Sequence, residues 1–150
     1  MGLEQEVEIL RTIPLFANIE PSKLKLMAFA SERLTFSAGQ ALFHEGAEGN
    51  AAYIVIDGTA EILVDAQDGA PIKVADVGPN DIVGEIAILC DVPRTATVRA
   101  TSELVTLRVT KELFFRLIQD FPEIGVEVMR VLAHRLENTT RRLRETRHGT

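Results

Sequence analysis

The chain has 150 residues, 46% of them apolar and 25% charged, with a net charge of −6 and no tryptophan. That length closes one hydrophobic core without staples. The negative charge argues against a nucleic-acid binder, which needs basic surface to release counterions, and no apolar run approaches the roughly 20 residues that span a bilayer.

The first residues, Met1 to Glu6, are acidic and lack the apolar stretch of a secretory leader. Gly2 is not followed by Ser or Thr at position 6, so the myristoylation pattern fails. Leu3, Val7 and Leu10 recur at helical spacing, with Glu4, Glu6, Glu8 and Arg11 on the other sides, and predict a first helix that Pro14 breaks. Pro21 suits the first turn of a second helix, with Leu24, Met27 and Phe29 on or near its buried side.

From about Leu34 to Val109 the pattern changes to short strands. They are expected at 34–36, 41–44, 52–57, 60–65, 72–77, 95–100 and 104–109, with a two-residue strand ahead of Gly84. Turns such as Asp57-Gly58, Asp68-Gly69 and Gly78-Pro79-Asn80-Asp81 punctuate them. Short strands at this spacing predict a sandwich or barrel rather than a parallel sheet with crossover helices.

Helix returns after Thr110, a suitable N-cap, with Leu113, Phe114, Leu117 and Ile118 in one stripe. Asp120-Phe121-Pro122 ends it, and Pro122 can open a last helix running to about Arg147. There Met129, Leu132, Leu136, Thr139 and Leu143 alternate spacings of three and four. Such a seam either packs on the protein's own strands or closes a parallel dimer. From Arg130 to His148 six Arg stand against two Glu, which fits a solvated face or a docking or linker helix. The chain reads as one domain, 1–150, with N-terminal helices over 1–33, a β-roll over 34–109 and C-terminal helices over 110–148.

The chemistry concentrates between Asp81 and Val98. Gly84 opens a very short helix, expected over 85–90, whose first N–H groups lack internal partners and suit an anion. Gly84 itself allows close approach of a phosphate to the backbone. Pro93 then starts an extended segment. On a regular strand Arg94, Ala96 and Val98 share one face, so a guanidinium suited to clamping phosphate would enter a cavity where Ala96 leaves room. Glu85 would repel a plain phosphate, but accepts a hydroxyl donor beside one, as in a ribose 2′-OH next to a 3′,5′-cyclic phosphate. On these residues alone a structural Glu85–Arg94 ion pair under a loop is equally open.

Gly84-Glu85-Ile86-Ala87 followed by Pro93-Arg94-Thr95-Ala96-Thr97-Val98 resembles the phosphate-binding cassette of the cyclic nucleotide-binding domain family. Bacterial catabolite activators and the regulatory subunits of cyclic-AMP-dependent protein kinase belong to that family. Phe43-His44-Glu45-Gly46 through Tyr53-Ile54-Val55-Ile56-Asp57-Gly58 resembles its first hairpins. The resemblance implies an eight-stranded antiparallel jelly-roll-like β-barrel with N-terminal helices, a short cassette helix and two C-terminal helices.

It further implies that Arg94 binds the exocyclic phosphate with Thr95 and the N–H groups of Ile86 and Ala87, while Glu85 and the Gly84 backbone hold the 2′-OH. Ile62, Val74, Val77, Ile86 and Val98 match pocket-lining positions, though each is equally suited to ordinary core. Thr95 is compatible with guanine as well as adenine. The stretch from His134 to Thr140 resembles the helix that caps adenine, where Thr139 would touch the base, which favours cyclic AMP over cyclic GMP and a homodimer through that helix. No helix-turn-helix follows, so direct DNA binding by this chain is not expected; either the domain acts alone, or an effector lies before or after it in a longer protein.

Other functions fit less well. The histidines His44, His134 and His148 are far apart, so no metal site is expected, and no Gly-x-Ser-x-Gly elbow is present for a nucleophile. Neither catalysis nor a cofactor is expected. Cys90 is the single cysteine, too few for an internal disulfide and consistent with a reducing cytoplasm. A protein-interaction domain of the same fold without a ligand is the remaining alternative.

Overall fold

A computed structural model describes residues 3–13, 16, 17, 19–66 and 68–148; the side chains of residues 3, 5, 131, 135, 138, 139 and 142–148 are outside that description. The break expected at Pro14, and the roles expected of the Leu3, Thr139 and Leu143 side chains, therefore lie outside the described residues. Helix α1 spans Leu3–Arg11 and α2 spans Pro21–Ala30. Leu24, Met27 and Ala28 of α2 are buried, but Phe29 is 80% exposed. Five residues on from Leu24, Phe29 is rotated by about 140° around the helix and leaves the face that the other three share.

Eight strands follow: β1 (Glu32–Phe36), β2 (Ala41–Phe43), β3 (Ala51–Asp57), β4 (Ala60–Asp65), β5 (Pro71–Val77), β6 (Ile82–Val83), β7 (Thr97–Ala100) and β8 (Leu104–Thr110). They form two four-stranded sheets, ordered β1-β8-β3-β6 and β2-β7-β4-β5, and every pairing is antiparallel. This is the expected jelly-roll arrangement, built as two sheets rather than a closed barrel.

Two cores explain why β3 reads as a nearly unbroken apolar run. Successive side chains point to opposite faces. Tyr53 and Val55 enter a core shared with Phe36, Val77, Val98 and Leu104, which come from both sheets. Ala52 and Ile54 face the other way, into a second core with Leu10, Leu24, Phe114 and Ile124 from the helices. Both faces of β3 are covered, so neither can be polar.

The C-terminal helices complete the second core. Thr110 caps α4 (Lys111–Asp120), its hydroxyl accepting from the Leu113 N–H at 3.3 Å. Pro122 begins α5 (Pro122–His148). Ile124 and Val128 are buried and Leu132 packs against the same core. Met129 is 63% and Leu136 68% exposed. The expected seam therefore divides: Leu132 serves the domain itself, while Met129 and Leu136 face solvent.

Candidate functional site

Gly84 has φ +87°, and a Cβ added there would stand 2.6 Å from Arg94 Nη1 and 3.2 Å from the Ala51 carbonyl oxygen. Glycine is thus needed both for the left-handed turn and for space. The sequence suggested room for a ligand; the group closest to that space is the Arg94 guanidinium. Helix α3 (Glu85–Cys90) starts here. At six residues it is too short to persist alone, and Ile88, buried in the helical core, holds it down. Asp91, at φ 53°, closes it by donating its N–H to the Ala87 carbonyl.

Arg94 is positioned by a route that strand alternation does not anticipate. The strand expected from residue 95 begins at Thr97, so Arg94, Ala96 and Val98 do not share a regular strand face. The Arg94 backbone instead pairs with the β2–β3 connection. Its N–H donates to the Ala47 carbonyl and its own carbonyl accepts from the Gly46 N–H, each at 2.8 Å. Nearby, the Glu45 N–H donates to Thr97 Oγ1 at 2.9 Å.

The Arg94 side chain is then held on several sides. Nη1 donates to the Gly84 carbonyl at 2.9 Å and Nη2 to the Ala51 carbonyl at 2.7 Å. The guanidinium carbon lies 4.0 Å from the centroid of the Phe43 ring. Arg94 is 5% exposed and Glu85 fully buried. Burial pushes the guanidinium below its ordinary range; Tyr53 and Glu85 oppose this by favouring the charged form, and Arg108 adds to the lowering.

These groups form one wall of a cavity of about 600 Å³, within the size range of small-molecule sites. Gly84, Glu85, Ile86, Ala87, Arg94, Thr95, Ala96, Ile62, Val74 and Val98 all line it. Val77 does not, and this corrects the expectation. In the β4–β5 ladder Ile62 faces Ala75 and Leu63 faces Lys73, so Val74 is an extra residue at a bulge. Val74, Ala75 and Asp76 line the cavity, whereas Val77, opposite Ala60, is buried between the sheets.

Sequence reasoning missed Phe43, Asp81 and His134, which also line the cavity. Phe43 reaches it by pairing with Val98 across β2 and β7, with a register shift between Ala41 and Phe43. No local spacing signals that pairing. His134 is the residue through which the described part of α5 reaches the cavity. Among the described residues no group of three or more His, Cys, Asp and Glu is placed to hold a metal, and no helix is long and apolar enough to cross a membrane.

The arrangement offers a buried cation beside the start of a helix, a buried carboxylate, and an apolar wall of Ile62, Val74 and Val98. A ligand combining an anion, a hydroxyl donor and a flat apolar body would match all three.

The family model described as "Cyclic nucleotide-binding domain" matches residues 33–121. The CRP-like cAMP-activated global transcriptional regulator of Mycobacterium tuberculosis is 32% identical over 136 residues, 91% of this chain and 61% of that one. Lysophospholipase NTE1 of Chaetomium globosum is 32% identical over 119 residues, 79% of this chain and 8% of that protein. Among solved structures, the regulatory subunit of a cAMP-independent protein kinase A from Trypanosoma cruzi, bound to guanosine, superposes with a TM-score of 0.74 at 28% identity. It is matched over 83% of this chain and 44% of its own. The chain therefore spans under two thirds of the length of each of these relatives. By fold, cassette and these likenesses, the chain belongs to the cyclic nucleotide-binding domain family.

Proposed function

We propose that this domain is a regulatory sensor that binds a purine 3′,5′-cyclic nucleotide, cyclic AMP in preference to cyclic GMP. One observation carries the reading: Arg94 is buried in the cavity wall beside the start of α3, with two of its N–H groups on carbonyls. A guanidinium has five N–H donors; Nε is buried and one N–H of each Nη is on a carbonyl, so the second N–H of Nη1 and of Nη2 would meet a phosphate. Thr95 and the N–H groups of Ile86 and Ala87 would complete that contact. Glu85 and the Gly84 backbone would hold the ribose 2′-OH, and Ile62, Val74 and Val98 would flank the base.

The preference for adenine rests on the cAMP-activated relative, 32% identical, and on Thr139 as the base contact from α5. Output would come from a shift of α5 over the occupied cavity. Met129 and Leu136, exposed on that helix, would then pack against a second copy, and an effector in a longer protein would read the change. A cytoplasmic setting fits the lone Cys90.

The guanosine in the Trypanosoma cruzi subunit favours a second reading, a purine nucleoside sensor. Arg94 weighs against it, because a nucleoside offers no anion to a buried guanidinium. Thermal melts with cyclic AMP, cyclic GMP and guanosine separate the readings. A ligand at 100 times its dissociation constant adds about 2.7 kcal/mol of stability. The largest shift is expected with cyclic AMP; a shift with guanosine alone would favour the nucleoside, and no shift with any of the three would refute a purine sensor.

A further inference from the structure

We propose that Phe43 is a positioning residue for Arg94, holding the guanidinium by its ring face so that the remaining N–H edge is presented to the cavity. The proposal rests on the cyclic-nucleotide reading above and adds to it a residue outside the cassette. Phe43 lines the same cavity, and its ring centroid is 4.0 Å from the Arg94 guanidinium carbon.

The ring is itself braced. Tyr53 packs against Phe43 with centroids 5.9 Å apart and planes tilted by 32°. Phe36 in turn meets Tyr53 edge-on at 6.2 Å. Phe36 and Tyr53 are both buried in the core between the sheets. The aromatic row therefore connects the Arg94 guanidinium to the rigid interior of the sandwich.

The carbonyls of Gly84 and Ala51 fix the guanidinium in its plane, and Phe43 covers one of its faces. Arg94 Nε is buried and has no hydrogen-bond partner among the described residues. A buried cation lacking full hydrogen bonding is costly unless something else compensates, and the negative face of an aromatic ring does so. Without the ring, Arg94 would regain rotamer freedom that phosphate binding must remove again.

Three substitutions at position 43 test this, with cyclic AMP and adenosine as probes. Phe43→Leu removes the ring, Phe43→Tyr keeps it, and trifluorophenylalanine keeps its shape while weakening the negative face. Phe43→Leu and the fluorinated variant should weaken cyclic AMP binding by about tenfold and leave adenosine, which has no phosphate, unchanged. Phe43→Tyr should restore the affinity.

In protein without nucleotide, the Arg94 Nε–Hε NMR signal should be shifted upfield by the ring and lose that shift in Phe43→Leu. Equal loss of cyclic AMP and adenosine binding would show a merely structural role and overturn the proposal. So would full cyclic AMP affinity in both ring-altering variants, or an Arg94 signal indifferent to the ring. If the unaltered protein bound no cyclic nucleotide, the function proposed above would fail. The NMR signal would still decide separately whether Phe43 holds Arg94.

Discussion

At the scale of single residues, Arg94 carries two tasks at once. Its side chain satisfies the carbonyls of Gly84 and Ala51 and, with Nε buried, leaves one N–H on each Nη that would serve a ligand. Lysine keeps the charge but lacks the planar fork that reaches both carbonyls and an anion together. Arg94→Lys is expected to lower cyclic AMP affinity at least about tenfold, since each hydrogen bond to a charged group contributes about 1.5–3 kcal/mol. Titration of the folded variant, checked by circular dichroism, reads this directly. Gly84→Ala should act on the same atoms from the other side. Its Cβ would stand 2.6 Å from Arg94 Nη1 on a backbone at φ +87°. A loss of about 1–2 kcal/mol in urea unfolding is expected from the left-handed backbone, together with weaker nucleotide binding.

At the scale of elements, α3 depends on one anchor. Ile88 is fully buried among helix and sheet residues, and a helix of six residues has little stability of its own. Ile88→Ala is expected to cost about 2–5 kcal/mol in urea unfolding through the cavity it leaves. It should also weaken nucleotide binding although Ile88 does not line the site; an unchanged affinity would separate α3 from recognition. The extent of α3 was legible in the sequence because Gly84 and Pro93 are local signals on either side of it. The elements around it were less legible. The register shift that brings Phe43 opposite Val98 and the pairing of Arg94 with residues 46 and 47 are long-range, and the bulge at Val74 is set by its pairing with β4. Alternation counts residues along one strand and cannot register an extra residue set by a partner strand. Phe29 misled for a related reason, as the buried face of α2 is narrower than its apolar content suggests.

At the scale of the whole molecule, the helical layer and the cavity meet in α5. Its near half packs on the core through Ile124 and Val128, His134 reaches the cavity, and Met129 and Leu136 stand exposed. The proposed homodimer uses those exposed side chains. Met129→Asp with Leu136→Asp should halve the sedimenting mass while leaving the melting temperature of the domain nearly unchanged. A wild-type protein that sediments as a monomer at high concentration, with and without nucleotide, would refute the dimer. A sandwich or barrel was readable from strand spacing, and the jelly-roll from the resemblance that the cassette carries, because both signals are properties of short segments. The division of the α5 seam was not, since it depends on which helix face the sheet covers. The central claim, recognition of a cyclic phosphate through Arg94 and of adenine above it, is tested most directly by titration calorimetry of the unaltered chain with cyclic AMP and cyclic GMP. One cyclic AMP per chain, bound more tightly than cyclic GMP, is the predicted result; no binding of either nucleotide at millimolar concentration would contradict it.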